Sequence, residues 1–242
     1  MSTRPVLLPG NMCDARLWRG GNGAIIRALG RHALGDPYQA DLARDDSIAA
    51  MARRTLACID GLILPIGFSM GAIVAVEMAV QAPERIAGLV LLGYNATADL
   101  PERAAHRPLQ QSEVRCGGLE RVLVEELKPN YLAAARRGDT ALLDLLRDMG
   151  MGLGADVFVR QSEALRLRAD RRDALTSLTM PVLLGCGAED ALCPPAWHAD
   201  WARRIRDADN FTIADAGHML PLEAPVALAD QIDQWLSFRG IT

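Results

Sequence analysis

Long apolar runs, basic clusters and paired cysteines are all missing from this sequence, and each absence excludes a class of protein. No apolar run approaches the roughly 18 residues of a membrane span. The first one is broken by Pro9 and is too short for a signal peptide. The net charge is −4, and no basic cluster is interleaved with aromatic residues. We therefore expect a cytoplasmic protein that neither spans a membrane nor binds nucleic acid.

The five cysteines are odd in number and contain no CxxC pair. This pattern argues against a disulfide framework and against a zinc site. Most of them are expected to be small core residues, and no catalytic role is expected for Cys13 or Cys193. The sequence indicates no metal ion and no organic cofactor.

Short apolar runs alternate with helical patterns over most of the chain. The runs do not alternate internally, as in parallel strands buried on both faces, so the sequence predicts an α/β fold with a wound parallel sheet. Pro65 weakens one strand because proline removes a ladder hydrogen bond. Strands are expected at Val6–Leu8, Ala33–Leu34, Leu62–Ile66, Leu89–Leu92, Val182–Cys186 and Phe211–Ala214. Helices are expected at Ser47–Cys58, Met70–Val80, Trp197–Ile205 and Val226–Phe238.

The alternation fails between about residues 95 and 177, where only helical patterns follow one another. We expect residues 1–94 and 178–242 to form one α/β core, and residues 95–177 to form an inserted helical lid. Lid helices are expected at Leu119–Glu126, Tyr131–Arg137, Thr140–Met149 and Ala155–Leu167. The expected breaks are Gly117-Gly118, Lys128-Pro129, Gly138 and the glycine-rich run 150–154.

The stretch 67-GFSMG-71 lies where an apolar run gives way to a helical pattern. A sharp strand-to-helix turn exposes a serine hydroxyl and crowds its neighbours, which is why glycines suit both sides. The helix behind it points amide donors at the same spot. The stretch predicts Ser69 as a nucleophile and the Met70 N–H as an oxyanion donor. The alternative is a coincidental match in a tight turn.

An alcohol needs a neighbouring base to act as a nucleophile at neutral pH. His218 lies in 215-DAGHMLPLEAP-225, directly after the last expected strand, where it can reach a serine at a neighbouring strand end. We predict His218 as the general base. His32, His106 and His198 lack that setting, and His198 is expected on the surface at the start of a helix.

The third member of such a triad orients the imidazole and stabilises its charged form. Glu189 and Asp190 directly follow the strand expected at Val182–Cys186. The chain order serine, acid, histidine is the one expected when all three residues follow strands of this architecture. We predict Asp190 as the acid, with Glu189 as the reserve.

The loop 9-PGNMCD-14 after the first strand is expected to supply a second oxyanion donor. Gly10 lets the backbone approach the substrate, and the N–H of either Asn11 or Met12 would point into the site. Asp14 is expected to tether its own loop.

Two aromatic residues, Trp18 and Phe68, are candidates for the wall of a substrate pocket, and Met12 is a third. Substrate identity should be determined by the lid and the pocket that it covers. The basic run 166-RLRADRR-172 would suit an acidic substrate, but a solvated charged face is the favoured interpretation.

Five stretches outside the expected lid together resemble the α/β-hydrolase superfamily, in family order. They are LLPGNMCDARLW (7–18), GFSMG (67–71), APERIAGLVLL (82–92), GAED (187–190) and AGHMLPLEAP (216–225). The combination is similar to small bacterial esterases, enol-lactonases and cofactor-free haloperoxidases. It departs from many relatives in having Pro9-Gly10 where they carry His-Gly. The chain also begins at what would be the third family strand, which implies a mostly parallel sheet of about six strands in the order 4-3-5-6-7-8 in family labels.

The resemblance implies a serine hydrolase that cleaves a small carboxylic ester through an acyl-enzyme, without a cofactor. Lactonases, carbon–carbon bond hydrolases and lyases use the same triad, and the fold does not choose among them. A non-catalytic receptor for a small molecule is the alternative outside enzymes. A serine at the turn argues against haloalkane dehalogenase and epoxide hydrolase chemistry, in which an aspartate attacks. Nothing in the sequence indicates the oligomeric state.

Overall fold

The computed structural model of the chain describes residues 2–127 and 131–242. These residues form a six-stranded sheet whose neighbouring strands are all parallel. The strands are β1 (Arg4–Leu8), β2 (Tyr38–Gln39), β3 (Ile63–Phe68), β4 (Leu89–Leu92), β5 (Val182–Gly187) and β6 (Ala208–Ile213). Their order across the sheet is β2-β1-β3-β4-β5-β6, which confirms the order expected from the family resemblance.

Helices cover both faces of the sheet, as expected of a wound parallel sheet. In chain order they are α1 (Gly20–Leu29), α2 (Ile48–Ala57), α3 (Met70–Gln81), α4 (Pro101–Arg115), α5 (Leu119–Arg121), α6 (Thr140–Leu153), α7 (Ala155–Arg166), α8 (Arg172–Leu175), α9 (Pro195–Arg204), α10 (Leu220–Glu223) and α11 (Pro225–Arg239). A π-helical stretch, Val122–Leu127, continues α5. No helix of the described residues is both long enough and apolar enough to cross a bilayer.

Two buried clusters divide the core, one on each face of the sheet. Alternate residues of each strand belong to opposite clusters: Val6 and Leu8 pack with α2 and α3, whereas Leu7 packs with α1 and α11. This is the period-2 alternation of strand side chains. Because both faces are apolar, the polar site residues are confined to the strand ends.

The strand predicted at Ala33–Leu34 is wrong. Ala33 lies in the turn that ends α1, where the N–H of Arg31 donates to Ala28 O. The observed strand, Tyr38–Gln39, is a two-residue edge strand that is only half-buried. An edge strand of this length needs no apolar run, so hydrophobicity was a misleading guide to its position.

Pro65 lies inside β3, and the sheet accommodates it on one side only. The ladder to β1 continues through the pair Val6–Pro65. On the other side, the bridge Ile63–Ile86 is followed by the ladder pair Ile66–Val90. Two residues intervene between these pairs on β3 and three on the partner segment. The missing N–H therefore coincides with a local interruption of the β3–β4 ladder.

The segment between β4 and β5, here called the insertion, contains α4 to α8. Helix α4 was not predicted, and it contains Pro108 in its interior, where proline removes a helical hydrogen bond. The helix predicted at Tyr131–Arg137 is wrong, since only a 3-10 turn at Ala134–Arg136 is present. The break predicted at residues 150–154 is present only at its end, where Gly154 has φ 85° and α6 ends. The predicted break at Lys128-Pro129 lies outside the described residues.

Candidate active site

Ser69 occupies the sharp turn between β3 and α3. Its backbone has φ 53° and ψ −115°, a conformation that costs a non-glycine residue about 1–3 kcal/mol. A Cβ on Gly67 would lie 2.5 Å from Ala72 Cα, and one on Gly71 would lie 2.0 Å from Leu8 O. Both glycines are therefore required for the close approach that presents the serine at the carboxyl end of the sheet.

Three side chains that follow three different strands meet at this edge. Ser69 Oγ lies 3.0 Å from His218 Nε2, and His218 Nδ1 lies 2.8 Å from Asp190 Oδ2. His218 is 4% exposed and Asp190 is 3% exposed. The structure therefore brings together the residues that the sequence predicts as nucleophile, base and acid.

Asp190 is held as a carboxylate despite its burial. Burial alone would raise its pKa, but the charge and hydrogen bond of His218 and the N–H groups of Cys193 and Leu192 together lower the pKa below the ordinary 3.8. These N–H groups donate to Asp190 Oδ1 over 2.8 and 2.9 Å. An ionised Asp190 keeps the proton of His218 on Nδ1, which leaves Nε2 free to accept the hydroxyl proton of Ser69.

The loop that carries His218 is fixed by the insertion. The N–H groups of His218 and Met219 both donate to Tyr131 O, over 2.8 and 3.2 Å. On the other side, the Phe68 ring lies 5.1 Å from the imidazole, centroid to centroid. Gly93, with φ 56°, leaves room for the imidazole, because a Cβ there would lie 3.0 Å from it. His218 is thus held between the sheet and the insertion.

Two carboxylates next to the triad hold the insertion in place. Glu189, the reserve acid of the sequence prediction, accepts the N–H of Ala134 over 2.8 Å. Glu223 is buried and accepts the N–H of Ala133 over 2.8 Å and that of Gly217 over 3.1 Å. Burial raises the pKa of Glu223, although these backbone donors oppose the rise. Sequence reasoning missed Glu223, whose only signal was an acid inside the apolar stretch 219–225.

The two candidate oxyanion donors in the loop after β1 differ in their hydrogen bonds. Met12 N–H donates to Gln161 Oε1 over 2.8 Å, so it does not face the pocket. Asn11 lines the pocket beside Ser69, and its N–H has no acceptor among the described residues. Met70 is the first residue of α3, so its N–H has no partner within the helix. The geometry thus favours the N–H of Asn11, and not that of Met12, as the second oxyanion donor beside the N–H of Met70.

A cavity of about 420 Å³ opens above Ser69. The apolar part of its wall includes Phe68, one of the predicted pocket residues. The polar part of the wall includes side chains from one face of α4, spaced three and four residues apart. The apolar wall comprises Phe68, Ile73, Leu127, Leu165 and Leu192, and the polar residues of α4 include Arg103, His106, Arg107 and Gln110.

Trp18 does not line this cavity, contrary to the sequence prediction. It is fully buried in the core on the α1 side of the sheet. The 3-10 turn Ala15–Arg19, capped by the side chain of Asp14, directs it inward. Asp14 accepts the N–H of Arg16 over 2.9 Å, which agrees with its expected role as a tether of its own loop.

The basic run 166–172 is not uniformly a solvated face. Arg168 is 9% exposed, lines the cavity and lies 2.7 Å from Asp99 Oδ1. Arg107 Nε lies 2.5 Å from the other oxygen of Asp99. Burial would raise the pKa of Asp99, but the two guanidinium groups outweigh it and lower the pKa. This buried ion-pair cluster joins the beginning of the insertion to its end.

His198, expected on the surface, is 1% exposed. Its Nε2 accepts the N–H of Tyr94 over 3.0 Å, and its Nδ1 lies 3.4 Å from Pro194 O. Burial lowers its pKa below the ordinary 6.5, so the neutral imidazole is favoured. His198 therefore fixes the loop after β4, next to the Gly93 that contacts His218. Its position at a helix start gave no indication of this burial.

One group of potential metal ligands occurs in the described part of the chain: Asp190, Cys193 and His218, whose ligand atoms lie within 4.8 Å of one another. Two of these are already paired in the triad. Burial raises the pKa of the Cys193 thiol well above its usual range, whereas a metal requires the thiolate. The donor set therefore fits a hydrogen-bonded triad better than a metal centre.

Comparisons with known proteins agree with the fold. The profile described as "Alpha/beta hydrolase family" matches residues 6–231. The putative non-heme bromoperoxidase BpoC of Mycobacterium tuberculosis is 28% identical over 174 residues, which span 67% of this chain and 63% of that protein. A thermophilic esterase from Thermogutta terrifontis has a TM-score of 0.85 and 26% identity, covering 100% of this chain and 92% of that one. The enol-lactonase of Burkholderia xenovorans LB400 has a TM-score of 0.83 and 21% identity, with coverages of 98% and 92%.

Proposed function

Because this chain belongs to the alpha/beta hydrolase family, we propose that it is a serine hydrolase that cleaves a small carboxylic ester through an acyl-enzyme. The observation that carries the proposal is the 3.0 Å contact between Ser69 Oγ and His218 Nε2. A serine activated in this way attacks a carbonyl carbon. The similar esterase of Thermogutta terrifontis supports an ester as the substrate.

In the proposed first step, His218 Nε2 removes the proton of the Ser69 hydroxyl as Oγ attacks the ester carbonyl. The carbonyl oxygen becomes an oxyanion, which accepts hydrogen bonds from the N–H groups of Met70 and Asn11. The tetrahedral intermediate collapses, and the alcohol leaves with the proton from His218. Asp190 stabilises the imidazolium in between.

In the second step, His218 takes a proton from a water molecule, whose oxygen attacks the acyl carbon. Collapse of the second tetrahedral intermediate releases the carboxylic acid and returns the proton to Ser69 Oγ. Every proton transfer uses the same imidazole, so the reaction consumes one water and needs no further reactant.

We also propose that residues 95–177 act as a lid over this site. Five α4 side chains and Arg168 line the cavity, and Tyr131 O binds the loop of His218. A substrate would therefore contact the insertion and the core at once. The volume of about 420 Å³ suits a small molecule.

The strongest alternative is a lactonase. A lactone is a cyclic ester, so the same attack by Ser69 opens its ring, and the alcohol stays attached to the acyl group. The fold likeness to the enol-lactonase motivates the test without choosing the substrate. Carbon–carbon bond hydrolysis, lyase chemistry and non-catalytic binding of a small molecule remain weaker alternatives with no separate observation in their favour.

The proposal is tested with p-nitrophenyl esters of two to eight acyl carbons and a panel of lactones, beside the variant Ser69→Ala. We expect the wild type to release p-nitrophenol and Ser69→Ala to lose more than about 99% of kcat. The intact mass, recorded during turnover, should show an acyl adduct only in the wild type. Full activity in Ser69→Ala would refute the serine mechanism.

A further inference from the structure

The loop after β1 contains a backbone conformation that needs support. Cys13 N–H donates to Gly10 O over 3.1 Å, which closes a four-residue turn. Met12, at the third position, has φ 53°, whereas Asn11 has no positive φ. This is the pattern of a type II turn, in which glycine is favoured at the third position. A methionine there is strained and persists only where its surroundings fix it.

One buried side chain of the insertion supplies that fixing contact. Gln161, on α7, is 2% exposed. Its Oε1 accepts the N–H of Met12 over 2.8 Å, and its Nε2 donates to Leu42 O over 3.1 Å. A single amide therefore ties the loop after β1 to the loop after β2. Both ends of the amide are hydrogen-bonded, as a buried amide requires.

The Met12 side chain is anchored in the same part of the molecule. It is 4% exposed, and the other buried residues of its cluster all belong to the insertion. They are Val114, Leu119, Val122, Leu123, Val157 and Phe158. Both the backbone and the side chain of Met12 are thus held by the insertion.

We propose that Gln161 is a positioning residue for the oxyanion hole, an inference that rests on the proposed function. By accepting the Met12 N–H, Gln161 fixes the plane of the Asn11–Met12 peptide, whose flip would convert the turn to type I. The Asn11 N–H, one peptide earlier, is then held in one orientation, in a residue that lines the cavity beside Ser69. An oxyanion donor must lie within about 2.7–3.1 Å of the oxyanion, so a small loop movement is enough to reduce catalysis.

This role links the insertion to the chemistry as well as to the substrate. The loop after β1 carries one of the two proposed donors, and its conformation depends on a side chain of α7. The other proposed donor, Met70, belongs to the rigid turn of the core. Loss of Gln161 should therefore weaken one donor and leave the triad intact.

The test compares Gln161→Met, which keeps the side-chain length without the hydrogen bonds, with Gln111→Met. Gln111 is a matched control because it is 6% exposed, lies in the insertion and donates to Ser162 Oγ and Glu163 Oε2, each over 3.3 Å. Neither acceptor belongs to the loop after β1. Each variant is assayed with p-nitrophenyl butyrate and with a trifluoromethyl ketone, whose adduct with Ser69 carries an oxyanion. Thermal unfolding is measured in parallel.

We expect Gln161→Met to lower kcat about 10- to 100-fold and to leave KM within about twofold. Binding of the ketone should weaken by the same factor as kcat/KM. Gln111→Met should lower the melting temperature but keep kcat within about threefold. Unchanged kcat and ketone binding in Gln161→Met, or equal losses in both variants, would overturn the inference.

A conservative variant decides the question if Gln161→Met does not fold. Gln161→Glu keeps an acceptor for the Met12 N–H and loses the donor to Leu42, so we expect a kcat within about fivefold of the wild type. A loss of 10- to 100-fold in Gln161→Glu would contradict the inference. Absence of serine-dependent turnover in the wild type would instead refute the proposed function, and this outcome is read before any variant is compared.

Discussion

Two adjacent acids, Glu189 and Asp190, were candidates for the same role, and their contacts now separate them. Asp190 faces His218 Nδ1, whereas Glu189 faces the N–H of Ala134. We expect Asp190→Asn to lower kcat about 10⁴-fold, because the amide favours the wrong imidazole tautomer. Glu189→Gln keeps an acceptor for Ala134 and should retain kcat within about threefold. Steady-state kinetics of the pair measure this difference, and a reversed order would make Glu189 the acid.

The buried His198 should make folding sensitive to mild acid. Its pKa is lowered in the folded protein from the ordinary 6.5, so its contribution to stability is complete above about pH 6.5 and is lost as the pH falls through the lowered value. The cause is burial, which disfavours the charged imidazole. Nε2 can also accept the Tyr94 N–H only while the imidazole is neutral. We expect the unfolding free energy to fall between about pH 6.5 and 5.

Urea unfolding at several pH values in that range checks this prediction. His198→Gln supplies an uncharged acceptor and should flatten the pH dependence. His106→Gln is the control, since His106 is exposed and pairs with Glu126 at the surface. If the unfolding free energy depended on pH equally in the wild type and in His198→Gln, the attribution of this dependence to His198 would be contradicted.

At the scale of elements, the ion-pair cluster of Asp99, Arg107 and Arg168 joins the two ends of the insertion. Asp99 and Arg168 lie near its two ends, and Arg107 lies on α4. Asp99→Asn would leave two largely buried guanidinium groups without a counter-charge. We expect a loss of about 3–5 kcal/mol in the free energy of unfolding, measured by urea denaturation.

A nearby surface pair provides the comparison. Asp170 and Arg172 form an exposed ion pair in the same basic run. Asp170→Asn should change the free energy of unfolding by less than about 1 kcal/mol. Equal effects of the two substitutions would show that the burial of Asp99 does not determine its contribution.

The helices and strands also show where sequence patterns carry information. The strand β4, which is buried on both faces, is a continuous apolar run and was predicted at its observed bounds. The segment around Tyr131 was misread as a helix, because its backbone N–H groups bind Glu189 and Glu223. These acids are distant in the sequence, and the hydrophobic period within a segment does not indicate such long-range hydrogen bonds.

For the whole molecule, the fold and the meeting of Ser69, Asp190 and His218 were predictable from their order at strand ends. The burial of His198, the absence of Trp18 from the cavity and the contacts of Gln161 were not. Each depends on how the insertion or a loop packs against the core, which is a property of tertiary structure. Polar residues that support a site therefore escape pattern analysis more readily than those that form it.

Met12 packs among residues of the insertion, and this contact limits how the protein can be engineered. Grafting the insertion of another hydrolase onto this core would remove the partners of both the Met12 side chain and its N–H. We expect such chimeras to keep Ser69 in its turn between β3 and α3 but to react slowly with a fluorophosphonate probe. Transplanting residues 10–13 together with the insertion should restore the rate, so the exchangeable unit is discontinuous in sequence.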